Sequence, residues 1–180
     1  AGTIAVTVDG TAVSTVTKTA IDGGYKCTCT SPTLKDGSHT ISVKASDNDG
    51  NAAAAKTATF TVDTVPPTLQ ITAPSNDLVT NKKTVTITGK TDDVTSKPVT
   101  VTVNGATVTV GTDGTFTKEV TLVEGADTMP IVAKDKAGKT TTVTRKVTVD
   151  TSAPVIKSIT LTPNPVDCGK TFIIAVEITD

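Results

Sequence analysis

Asp47, Asp49 and Asn51, set around Gly50 in the run Asp47-Asn48-Asp49-Gly50-Asn51, are the residues of this chain whose types and spacing come nearest to a chemistry. Three hard oxygen donors at alternate positions make half of a calcium loop, and Asp63 could add a further oxygen. Asp150 occupies the matching place in a second copy, so both aspartates could donate at a boundary between domains. The full EF-hand pattern fails because no Glu stands at its last position. Asx-turns account for the same residues, and in the second copy, Asp135 to Lys139, Lys136 and Lys139 replace the polar partners. Calcium on Asp47, Asp49, Asn51 and Asp63 is therefore the cofactor these residues could hold, and no other cofactor is expected.

Other chemistries find fewer footholds. The chain has a single histidine, His39, with no Ser or Cys partner in any nucleophile motif, and it reads as a structural residue at the start of a strand. Asp92 and Asp93 are adjacent in a turn and face different ways, so they read as a solvated loop rather than an acid/base pair. Phosphate cradles, zinc spacings and nucleophile elbows are missing from the sequence. No catalytic residue is expected. Of the three cysteines, Cys27 and Cys29 lie two apart on one strand, too far for an unstrained bridge, and read as small buried hydrophobes. Cys168, in the turn Asp167-Cys168-Gly169-Lys170, is the candidate for a free or intermolecular thiol.

These residues must be positioned by strands. Thr and Val dominate the 180 residues, apolar positions alternate with polar ones, and no stretch carries helical spacing. The net charge of −1 comes from scattered charges of both signs, which excludes a nucleic-acid stripe. No apolar run reaches the ~18 residues of a membrane span, so no insertion is expected.

The chain repeats itself. Asp47 to Pro67 returns as Asp135 to Pro154: an Asp-x-x-Gly turn, a long Thr/Val strand, then Val-Asp-Thr and a proline. Asp9-Gly10 between two alternating runs predicts a type I′ hairpin, and Asn104-Gly105 repeats it. Asp22-Gly23-Gly24-Tyr25 matches Asp113-Gly114-Thr115-Phe116, which makes Tyr25 and Phe116 equivalent. Tyr25, Phe60, Phe116 and Phe172 all fall at inward alternating positions, leaving no aromatic platform for sugar and only loop Thr, Asn and Asp for a glycan. The expected division is 1–65, a sandwich lacking its first strands; 66–152, a complete sandwich; and 153–180, the opening strands of another. The expected class is all-β: tandem antiparallel sandwiches joined end to end.

On the segments DGSHTISVKASDNDGN, TFTVDTVPPTLQITAPSN and VTVNGATVTVGTDGTFTKEVTL, the chain resembles bacterial Ig-like domains. Its second module is similar to the glucodextranase domain-B type. The tail resembles the start of an Ig-like module of phage virion and Gram-positive surface proteins. The resemblance implies a non-catalytic structural or adhesion module, such as a stalk, decoration or attachment segment, outside the cell on a virion or bacterial surface. The alternative it implies is an accessory module of a secreted carbohydrate-active enzyme. Expected partners are other copies or neighbouring Ig-like modules, by strand addition through 155–178, and a cell-surface glycan.

Overall fold

A computed structural model of the chain describes residues 2–162, 164–165 and 167–180. Every regular element among them is a strand. The first module runs β1 (Ile4–Val8), β2 (Thr11–Ala12), β3 (Val16–Ile21), β4 (Gly24–Cys29), β5 (Gly37–Ala45) and β6 (Lys56–Val62). The second adds β7 (Thr68–Ala73), β8 (Leu78–Thr80), β9 (Thr84–Asp92), β10 (Thr100–Val103), β11 (Ala106–Val108), β12 (Thr115–Thr121), β13 (Gly125–Lys134) and β14 (Thr140–Val149). A last hairpin pairs β15 (Val155–Thr162) with β16 (Ile173–Thr179).

Asp9 and Asn104 take φ of 50° and 48°, and the glycines after them 80° and 79°. These are the two positive angles of a type I′ turn, so β1 folds back on β2 and β10 on β11 in the same way.

The second module is a two-layer sandwich. One sheet has the order β11-β10-β13-β14-β8 and the other β12-β9-β7. Side chains alternate across each strand, so every second residue enters the space between the layers. Ile87 from one sheet meets Val101, Val103, Met129, Ile131, Ala133, Val147 and Val149 from the other in a single buried cluster. Phe116 lies across Gly89, where a Cβ would come within 2.6 Å of the ring and of the Gln70 carbonyl. Glycine is required there by close approach. Strand β8 lies parallel to the end of β14 and was not foreseen, because three residues are too few for alternation to register.

The first module has one four-stranded sheet, β2-β1-β5-β6, with the separate β3-β4 hairpin beside it. Strands matching β7 and β9 are absent among its described residues. Val6 and Val8 are its buried apolar residues, and two of the expected core aromatics are not inside: Tyr25 is 54% exposed and Phe172, in the last segment, 46%. Tyr25 lies on the two-stranded β3–β4 hairpin and Phe172 just before β16, each outside the buried cluster. Phe60 is half-buried with its ring 5.5 Å from His39, and only Phe116 is fully enclosed. The same place outside that cluster leaves Cys27 half-buried and Cys29 exposed, against the expectation of two buried thiols.

Candidate metal centre at the module junction

The structure separates the residues the sequence grouped. Asp47 closes an Asx-turn in which one carboxylate oxygen accepts the N–H of Asp49 at 3.0 Å and of Asn51 at 2.8 Å. Its other oxygen accepts the Asn51 side-chain amide at 2.7 Å. These bonds, led by the one from the Asn51 amide, hold the Asp47 carboxyl below its ordinary range. Both oxygens of Asp47 are thus used inside its own turn, and Asp49 is exposed. Asp63 is not gathered with them.

Asp63 instead joins Asp93 and Asp135, each offering a carboxylate oxygen within 4.8 Å of the other two. All three are placed by the same device: one oxygen caps a local turn and the rest of the carboxylate points away from it. Asp63, just beyond β6, accepts the Val65 N–H at 3.1 Å. Asp93, just beyond β9, accepts the N–H groups of Thr95 and Ser96 at 2.8 and 2.6 Å. Asp135, just beyond β13, accepts the Lys139 N–H at 2.8 Å. The remaining oxygens of Asp63 and Asp135 are buried without a hydrogen-bond partner.

Asp135 is the counterpart of Asp47, with the same backbone bond from its N–H to the carbonyl four residues on. The two differ at that fourth residue. Asn51 spends its amide on Asp47, whereas Lys139 has no amide to give, so the second oxygen of Asp135 stays open. Lys139, one of the two lysines that counted against a site in the second copy, is what leaves its carboxylate free. Asp93, read as a solvated loop residue, is only 6% exposed, and Asp135 only 5%. The pattern Asp-x-Thr-Ser after a strand was the available signal for Asp93, since it binds the side chain to its own turn.

Among the described residues no Lys, Arg or His forms an ion pair with any of the three: the ion pairs are His39–Asp9 and Lys97–Asp92. Two carboxylates about 5 Å apart repel by roughly 3–4 kcal/mol at an effective dielectric near 20. Burial adds desolvation to that cost.

Short tethers bring the modules together here. Between β6 and β7, Asp36 takes both the N–H and the hydroxyl of Thr64, Val65 is bonded to Asp63, and the buried Pro67 accepts the Thr141 hydroxyl. Pro66 is exposed between them. The same clamp recurs after β14, where Glu124 takes the N–H and hydroxyl of Thr151 and its carboxyl is held low chiefly by that hydroxyl. Thr59, Phe60 and Thr61 line a shallow depression together with Thr95, Ser96, Lys97, Lys136 and Ala137, so the end of β6 faces the loops that carry Asp93 and Asp135.

Elsewhere, His39 donates to Asp9 at 2.6 Å and faces the Lys35 carbonyl at 2.8 Å, a structural role in line with the sequence reading. Cys168 is exposed and unbridged.

Two facing layers, antiparallel except for β8, with a hairpin-built register define an Ig-like sandwich in the second module. Residues 1–64 match the family model "Bacterial Ig-like domain" and residues 67–151 match "Glucodextranase, domain B". The two matches take in most of the chain, one bacterial Ig-like domain followed by a module of the glucodextranase domain-B type. It is 30% identical over 143 residues to bacillopeptidase F of Bacillus subtilis, an alignment covering 79% of this chain and 10% of that protein. The chain thus spans about a tenth of the curated relative's length. Similar solved structures include fibronectin(III)-like modules of Clostridium thermocellum CbhA, at TM-score 0.46 and 21% identity, covering 82% of this chain and 77% of that one. Another is a tetra-tandem repeat from the extending region of a large adhesion protein, at TM-score 0.42 and 24% identity, covering 97% and 54%. No helix among the described residues is long and apolar enough to cross a membrane.

Proposed function

We propose that this chain is a non-catalytic spacer: Ig-like modules set end to end to hold other parts of an extracellular protein at a fixed distance, on a phage virion or a Gram-positive cell surface. The observation that carries the reading is the tethered linker. With Thr64 clamped to Asp36 of the first module, Pro67 bonded to Thr141 of the second, and Asp63 and Val65 joined in a turn between them, little free chain is left for the modules to swing on. A joint of that kind transmits orientation. Backbone amide relaxation measured on the whole chain tests it. A common correlation time for β5–β6 and β13–β14 is expected, and independent tumbling of the two modules would overturn the reading.

The match of residues 67–151 to glucodextranase domain B favours a second reading, an accessory module beside a carbohydrate-active domain. Affinity electrophoresis through gels containing soluble glucans separates the two. Retardation that free glucan reverses would favour the accessory role, and unaltered mobility favours the spacer.

A further inference from the structure

We propose that the joint between the first two modules is a calcium site, with Asp63 from one module and Asp93 and Asp135 from the other as its carboxylate ligands. Three observations meet. The oxygens lie within 4.8 Å of one another, the spread allowed by a cation whose oxygen ligands stand at about 2.3–2.6 Å. Two of the carboxylates each carry a buried oxygen that no donor reaches, and Asp135 is 95% buried. Neither ion pair among the described residues reaches the cluster. Buried carboxylates are ordinarily paired or coordinated to metal, and a donor set made only of hard oxygens selects calcium over softer metals. Each carboxylate is already oriented by the turn it caps, so ligands are held before the ion arrives.

The internal repeat supports the assignment. In β7–β9, Thr68 pairs with Asp92, which puts Asp93 one residue past the pair; in β15–β16, Val155 pairs with Thr179, which puts Asp180 one residue past it. Asp150 caps Ser152 as Asp63 caps Val65. The second joint therefore presents counterparts of Asp63 and Asp93, and Asp63, Asp93 and Asp135 are the one complete three-carboxylate set among the described residues. One ion per chain is the expected stoichiometry.

The inference rests on the carboxylates and not on the spacer reading, since calcium could bind at a mobile joint and a stiff joint could form without it. Calorimetric titration of calcium chloride into the whole, chelator-treated chain is the test, with thermal melts alongside. Expected are one site per chain, with a dissociation constant on the order of 10⁻⁴ M or tighter, and a melting temperature raised by roughly 5 °C once calcium exceeds that constant tenfold. In D135N the new amide can reach the orphaned oxygen of Asp63, as the Asn51 amide reaches Asp47. That variant should fold, melt in chelator at or above the parent, and bind calcium at least about tenfold more weakly. D63N should lose binding likewise, and D47N should keep it. Absence of both binding heat and a calcium-dependent melt in the parent would overturn the proposal, as would parental affinity in D135N and D63N together.

Discussion

His39 shows how a residue without catalytic prospects can still be chemically poised. Both of its ring nitrogens face acceptors, the Asp9 carboxylate and the Lys35 carbonyl, so only the imidazolium can donate to both. The Asp9 bond first, and the Lys35 carbonyl second, raise the histidine above its ordinary 6.5; the histidine in turn holds Asp9 below its ordinary 3.8. A raised histidine contributes fully below 6.5 and loses its contribution as pH climbs through the higher folded value. A lowered aspartate contributes above 3.8 and loses it as pH falls through the lower folded value. The pair is therefore at full effect between those two limits. The stability difference between the parent and H39Q, read by denaturant unfolding followed through Tyr25, should be larger near about pH 5 than near about pH 9. An equal difference at both would mean that the ring acts through its packing on Phe60 alone. At this scale the sequence was partly legible: with no nucleophile motif beside it, His39 reads as a structural residue at a strand start. It could not show that Asp135 keeps an open oxygen where Asp47 does not, because that depends on one amide reaching back four residues.

Strands carry the stability, unevenly. Ile131 is fully buried at the centre of the sandwich, so I131A should cost about 2–5 kcal/mol. In calorimetry that should appear as a lowered transition for the second module alone. Gly89 lies under the Phe116 ring, and G89A would drive a methyl into both that ring and the Gln70 carbonyl. A loss of about 1–3 kcal/mol is expected, and the loss should shrink in the F116L background if the ring is the main obstacle. By contrast, β15–β16 is a lone pair of strands exposing Ile156, Ile159, Ile173, Ile174 and Ile178. Two strands with an uncovered apolar face are marginal in water, so their amides should exchange far faster than those of β13–β14. Equal protection would show that something covers them. Alternation and the Asp-Gly and Asn-Gly turns made the strands and hairpins readable from sequence. Burial was not readable in the same way. Tyr25 and Phe116 occupy equivalent positions in the repeat, yet only Phe116 has a facing strand, and that is decided by chain tens of residues away.

Across the whole molecule, the repeat in the sequence proved to be a repeat of joints as much as of sandwiches. Asp36 clamps Thr64 and Glu124 clamps Thr151, each carboxylate reaching from the loop before the penultimate strand of its module to the Thr just past the last. Cutting one clamp separates its effect from that of the sandwiches. D36N should leave both modules folded while speeding amide exchange at Thr64 and Val65, as read by hydrogen exchange. Unchanged exchange there would mean that Asp63 and Pro67 hold the linker without it. In the sequence, Val-Asp-Thr and proline mark the expected boundaries, and Asp63 stands out there. It did not expose Asp93 and Asp135 as its neighbours, because their approach is set by the docking of one module on the next.

Because the clamp belongs to each unit rather than to any particular pair, duplicating or deleting one unit in the gene would leave every other coupling as it was. Reach could then change by whole increments, like links added to a chain whose couplings are all cut to one gauge.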